Sequence, residues 1–125
     1  MDESSVADHD YLELKRILRA LGDVVRLSIV NALAGCTEMN VTDLAQMLVV
    51  NGRLVSQPLV SWHLAMLRRV GLVCTRRVGR LVYCSLDRDR YQTCLRLLGE
   101  LVEAAPGTTA SVMPLPSDAT GARRA

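Results

Sequence analysis

Apolar residues recur at helical spacing through most of this chain and at strand spacing in one short stretch. From Asp10 onward, Leu14, Ile17, Leu18 and Leu21 stand at i, i+3, i+4 and i+7, which is one face of a helix. Gly22 breaks the pattern, and Asp23 is a good N-cap for a second helix. That helix carries Val24, Leu27, Val30 and Leu33 at spacings that predict one buried side, and it stops near Gly35. A short third helix, capped by Asn40 or Thr42, repeats the stripe with Val41, Leu44, Ala45 and Leu48. Residues Val49 to Val55 follow, with Asn51-Gly52 as a turn signal; they either extend the third helix or form a loop. A fourth helix is capped by Ser56 or Gln57. Pro58 lies in its first turn, Val60, Leu64 and Leu67 point inward, and Gly71 ends it.

The texture then changes. Leu72 to Arg77, Val78-Gly79, and Arg80 to Leu86 read as two strands around a tight turn, the one convincing hairpin in the pattern. A fifth helix runs from Asp87 to about Glu103, with Tyr91, Leu95, Leu98 and Val102 on a stripe that Cys94, Leu97 and Leu101 widen. The expected architecture is therefore mainly α with a small β-hairpin, in the order ααααββα: a winged helix-turn-helix over residues 10–105. Residues 1–9 are expected to be flexible. The Pro-rich stretch 106–125 is expected to be a disordered tail.

Composition sharpens this picture in two places. With no Phe, one Trp and three Tyr, packing falls to Leu, Val, Ile and Ala, which favours a small helical domain. The absence of a basic start followed by an apolar run, and of any run near the roughly 20 apolar residues that span a bilayer, predicts a cytoplasmic protein.

The net charge of +2 divides unevenly. Residues 1–52 hold eight acids and four bases, residues 53–96 nine Arg and two Asp, and residues 97–125 three acids and two Arg. A central block with a balance of +7 is the usual footprint of polyanion binding. A solvated face in an Arg-rich chain is the plainer account of the same block.

Placed on the expected elements, these residues suit double-stranded DNA. A helix fits the major groove, and on the fourth helix the face opposite the apolar stripe presents Gln57, Ser61, Ala65 and Arg68, flanked by Trp62, His63 and Arg69. Ser56 and Pro58 lie at a helix N-terminus whose free N–H groups suit a phosphate. Arg76, Arg77 and Arg80 cluster at the hairpin tip, within reach of a phosphate backbone or the minor groove. The candidate DNA-binding residues are thus Ser56, Gln57, Pro58, Ser61, Trp62, His63, Arg68, Arg76, Arg77 and Arg80. Packing is the alternative role for His63, and Arg53 in the long turn is either a further phosphate contact or a solvated loop residue.

Four segments resemble the ArsR/SmtB repressors: Leu21 to Val30 their second helix, Val41-Thr42-Asp43-Leu44-Ala45 their third, Ser56 to Leu67 with Gly71-Leu72-Val73 their recognition helix, and Arg76 to Tyr83 their wing. The resemblance covers roughly residues 11–103. It implies a homodimer formed through the first and last helices, a palindromic operator, and repression released by an effector. Two departures stand out. The connection between the third and fourth helices is several residues longer than the family's tight turn.

The second departure concerns the sensor. The third-helix region has only Cys36 where a Cys-x-Cys cluster would stand, and the last helix begins Asp87-Arg88-Asp89-Arg90-Tyr91 without the His of an Asp-x-His start. No metal or cofactor is expected, although His9 could join Asp89 or Glu100 across a dimer. Cys36, Cys74, Cys84 and Cys94 have no CxxC spacing and read as small buried hydrophobes. Were the effector a thiol-reactive species rather than a metal, Cys74/Cys84 or Cys36/Cys94 would be the pairs to test.

The residues offer no enzyme. Asp87 and Asp89 diverge on a helix, and there is no nucleophile elbow, phosphate loop or hydrolase metal spacing. A winged-helix module for protein contacts is the rival reading, with Trp62 in its favour, and a repressor that senses nothing is a further one.

Overall fold

The computed structural model describes residues 3–103, which form α1 (Glu3–Leu21), α2 (Val24–Ala34), β1 (Met39–Asn40), α3 (Val41–Met47), β2 (Val49–Val50), β3 (Arg53–Leu54), α4 (Gln57–Arg69), β4 (Val73–Val78), β5 (Leu81–Leu86) and α5 (Arg88–Val102). The expected winged helix-turn-helix order is present, with two short additions. β1 joins the wing to make a three-stranded antiparallel sheet in the order β1-β5-β4, and β2 pairs with β3. The expected tail, residues 106–125, lies outside the described residues.

Helix boundaries follow from local chemistry. No Gly or Pro interrupts residues 3–21, and α1 begins at Glu3, well before Asp10. The Asp23 carboxylate accepts from the N–H groups of Val25 and Arg26 and caps α2. Asn40 caps α3 by accepting from Asp43 N, and Asp87 caps α5 by accepting from Arg90 N. At the end of α4, Gly71 N donates to Arg68 O and Leu72 N to Leu67 O, a Schellman closure that places Gly71 at φ +80°. Leu67 and Leu72, which this closure brings together, are both fully buried.

The segment between α3 and α4 is neither an extended helix nor an irregular loop. Val49 pairs with Leu54 and Val50 with Arg53, so Asn51-Gly52 forms the two-residue turn of a small hairpin. Both turn residues have positive φ, +54° and +79°, as a type I′ turn requires.

One core collects from every layer. Ile17 of α1, Ile29 and Leu33 of α2, Leu44 of α3, and Val60 and Leu67 of α4 are fully buried against Leu72, Val73 and Cys84. Each such aliphatic side chain contributes on the order of 1.5–3 kcal/mol relative to exposure. The spacing along α2 predicted Val24 and Leu27 on the buried side, but both are exposed, and the face that packs is Ile29, Val30 and Leu33. The α2 sequence is apolar nearly all round, so periodicity does not select a face; contact with α4 and β5 does. Likewise on α5, Cys94 and Leu97 are buried while Leu95, Leu101 and Val102 stay exposed. No helix among the described residues is long and apolar enough to cross a membrane.

Candidate nucleic-acid interface

α4 lies on the surface with its apolar stripe inward, and the wing stands beside it. The two are tied by Arg68, whose Nη1 donates to Thr75 Oγ1 at 3.3 Å. Between them opens a groove of about 280 Å³, lined by Gln57, Ser61, Ala65 and Arg68 from the helix and by Thr75, Arg77 and Arg80 from the wing. Gln57, Ser61, Ala65 and Arg68 follow the helical repeat, so a single face of α4 supplies them. Ser56 is the N-cap residue, but its side chain makes no capping hydrogen bond, and Pro58 sits in the first turn. The hydroxyl and the first-turn N–H groups at this end of α4 are therefore unspent.

The wing arginines divide by the pleat. Thr75 faces Cys84 and Arg77 faces Val82 across the ladder, whereas Arg76 faces Tyr83. Alternation puts Thr75 and Arg77 on the groove side and Arg76 on the other. Arg76 stacks over the Tyr83 ring at 5.0 Å and is held along one guanidinium edge by both oxygens of Glu38, its Nε donating to Oε2 at 3.3 Å and its Nη2 to Oε1. That hydrogen bonding holds the Glu38 carboxyl below the usual carboxylate range and raises Arg76 further. Arg77 and Arg80, at the groove and the turn, have no acid partner among the described residues.

Of the ten candidate residues, His63 alone is buried. Its Nδ1 lies 3.0 Å from Arg26 Nη1 and 3.9 Å from Asp23 Oδ1. Arg has only donors, so Nδ1 accepts and the neutral ring carries its proton on Nε2. Burial lowers the His63 pKa below its ordinary value, outweighing the attraction of Asp23, with Arg26 adding to the lowering. His63 thus takes the packing role, joining α4 to the N-terminus of α2, and is placed away from the groove. Trp62 next to it is exposed, set edge-on to the His63 ring at 4.9 Å with the Arg26 guanidinium 6.0 Å from its centroid.

Thr42 and Thr75 also line the groove, although neither is among the candidate DNA-binding residues. For Thr75 a signal existed, since it lies two residues before Arg77 on the same strand and so shares its face. Thr42 is marked locally only as a possible helix cap, a place that Asn40 takes.

The cysteines do not form the strand pair left open above. Cys74 faces Ser85 and Cys84 faces Thr75, so the two thiols lie on opposite sides of the sheet. Cys84 is buried and donates to Met39 O at 3.2 Å, and burial, then neighbouring Cys36 and Glu38, push its pKa to about 11. Cys94 is buried and raised as well, and Cys74 is the exposed one of the four. Among the described residues no three His, Cys, Asp or Glu side chains gather as a metal site would require.

A five-helix core that carries a recognition helix beside a β-hairpin wing defines a DNA-binding winged helix-turn-helix regulator. Residues 23–75 match the family described as bacterial regulatory protein, arsR family. NolR from Sinorhizobium fredii is 34% identical over 84% of this chain and 100% of that one, with a TM-score of 0.56. An ArsR-like transcriptional regulator from a Rhodococcus species is 27% identical over 74% of this chain and 81% of its own, with a TM-score of 0.64. The transcriptional repressor BigR from Xylella fastidiosa is 27% identical over 83% and 99%, with a TM-score of 0.57. The chain belongs to the ArsR family of transcriptional regulators. It is a regulator rather than an enzyme.

Proposed function

We propose that the protein is a homodimeric repressor that binds a palindromic operator through α4 and the wing. The observation that carries this reading is the groove in which Gln57, Ser61 and Arg68 face Arg77 and Arg80. Amide and hydroxyl groups on a helix face read base edges, whereas free guanidinium groups on a hairpin hold phosphates. Gln57 and Ser61 are the base-reading residues. Ser56 and the first turn of α4 take one phosphate, and Arg77 and Arg80 take others.

Dimerisation is supported by the apolar surface left open where α1 meets α5. Tyr11 and Leu12 of α1 and Leu101 and Val102 of α5 are exposed, and Tyr11 and Leu101 line one shallow cleft between the two helices. A patch of this kind on a small domain marks an interface, and two-fold symmetry would match two operator half-sites. Release by an effector is part of the proposal. A thiol-reactive species would meet Cys74 first, because it is the exposed thiol.

The reading is tested by fluorescence-anisotropy titration of the duplex upstream of the protein's own gene against a scrambled duplex at one fixed salt concentration. Specific binding at least 10³ tighter than scrambled is the expected result. Equal weak binding to both duplexes would overturn it in favour of a protein-interaction module.

A further inference from the structure

A second basic surface lies on the other flank of α4. Arg16 and Arg19 of α1, Arg26 of α2 and Arg69 of α4 border one open concavity of about 290 Å³, whose apolar floor includes Met66 and Val70. Three helices from separate parts of the sequence thus bring four arginine side chains to the border of one hollow. None of the four has an ion-pair partner among the described residues. The nearby acid, Asp23, spends its Oδ1 on the Val25 and Arg26 N–H groups that cap α2. Like charges gathered around one hollow favour the approach of an anion.

Placement decides which anion. On α4, the wing groove uses Gln57, Ser61, Ala65 and Arg68, whereas the second concavity uses Met66 and Arg69. The two surfaces therefore flank the exposed face of one helix. A helix lying in a major groove about 12 Å wide has a sugar–phosphate backbone on each side. The wing covers one side and the four arginines cover the other. Arg26 is already held in place, its Nε donating to Ala20 O and its Nη1 facing His63.

We propose that Arg16, Arg19, Arg26 and Arg69 form a second phosphate-binding surface that grips the DNA strand opposite the one the wing tracks. This rests on the operator-binding reading above and extends its footprint to α1.

The test compares wild type with R16A/R19A and with R16K/R19K. Arg26 is left intact because it braces His63, and melting curves verify that each variant folds. Affinity for operator and scrambled duplexes is measured across a potassium chloride series. The expected result is that R16A/R19A lowers the slope of log affinity against log salt by about two units, weakens both duplexes alike, and leaves their ratio unchanged, while R16K/R19K keeps the slope. Wild-type binding to operator with an unchanged slope in R16A/R19A would overturn the proposal and leave the repressor reading standing. Failure of wild type to bind any duplex would remove both. If sodium pyrophosphate raised the melting temperature of wild type but not of R16A/R19A while DNA binding stayed equal, the surface would hold a free anion, and the DNA assignment would be wrong.

Discussion

Arg26 of α2 reaches across to α4 and places its Nη1 3.0 Å from Nδ1 of His63, while Asp23, three residues earlier, caps α2 and lies 3.9 Å from the same nitrogen. One polar cluster therefore both starts α2 and fixes how the recognition helix sits against it. Buried polar groups with their partners in place specify an orientation that apolar packing alone leaves looser.

His63 is held neutral in the fold by burial, below its ordinary pKa, and the unfolded chain binds a proton there that the native state does not. Stability therefore rises with pH through that window. It is fully present above the ordinary histidine value and is lost as pH falls toward the lowered one. Urea midpoints measured from pH 7.5 to 5 should fall in wild type. They should fall less steeply in His63→Asn, which keeps an acceptor for Arg26 but does not titrate. Equal slopes in the two proteins would show that His63 is not the group responsible.

On the DNA side the two neighbouring wing arginines should differ. Arg77→Ala is expected to weaken all duplexes alike and reduce the salt slope by about one unit. Arg76→Ala should change it less, because Glu38 already compensates that charge. Gln57→Ala should instead cost about 1–3 kcal/mol at one base position and leave the slope alone. Anisotropy titrations over a salt series and a set of single-base operator variants separate these effects. Identical behaviour of the Arg76 and Arg77 variants would contradict the division made by the sheet's pleat.

Gly71→Ala should destabilise the fold by about 1–2 kcal/mol, the cost of a left-handed conformation for a residue with a Cβ. The new Cβ would also stand 3.3 Å from the Arg90 side chain, which donates to Val70 O and pairs with Glu13 of α1. Thermal or denaturant unfolding measures the loss. A change within experimental error would mean that the closure of α4 is easily rearranged.

Leu101→Glu places a charge on the exposed apolar surface beside Tyr11, where α1 meets α5. Because Leu101 is exposed in the single chain, the monomer should remain folded while sedimentation shifts from dimer to monomer and operator affinity falls. A variant that sediments as wild type would contradict the proposed α1–α5 dimer.

Thiol accessibility supplies a last check. Brief alkylation at pH 8 should modify Cys74 first, with Cys84 and Cys94 reacting only on unfolding, since both are buried and their thiolates disfavoured. Early modification of Cys84 would show that the β1–β5 pairing opens readily.

Much of this protein was determined by its sequence alone, because the signals were local. The cap at Asp23, the start of the last helix at Asp87, the stop at Gly71, the inward stripe Val60, Leu64 and Leu67, and the period-two hairpin each follow from a few adjacent residues. So does the concentration of Arg in the middle of the chain, together with the face of α4 that carries Gln57 and Ser61. Tertiary structure decided the rest, because those outcomes depend on residues far apart in the chain. Glu38 reaches Arg76 across 38 positions and Arg26 reaches His63 across 37, which separated Arg76 from Arg77 and moved His63 out of the groove. The buried side of α2, apolar on nearly every face, was chosen by what packs on it. The convergence of Arg16, Arg19, Arg26 and Arg69 likewise arises only when three helices meet, since a charge carries no local mark of the neighbours that folding will bring to it.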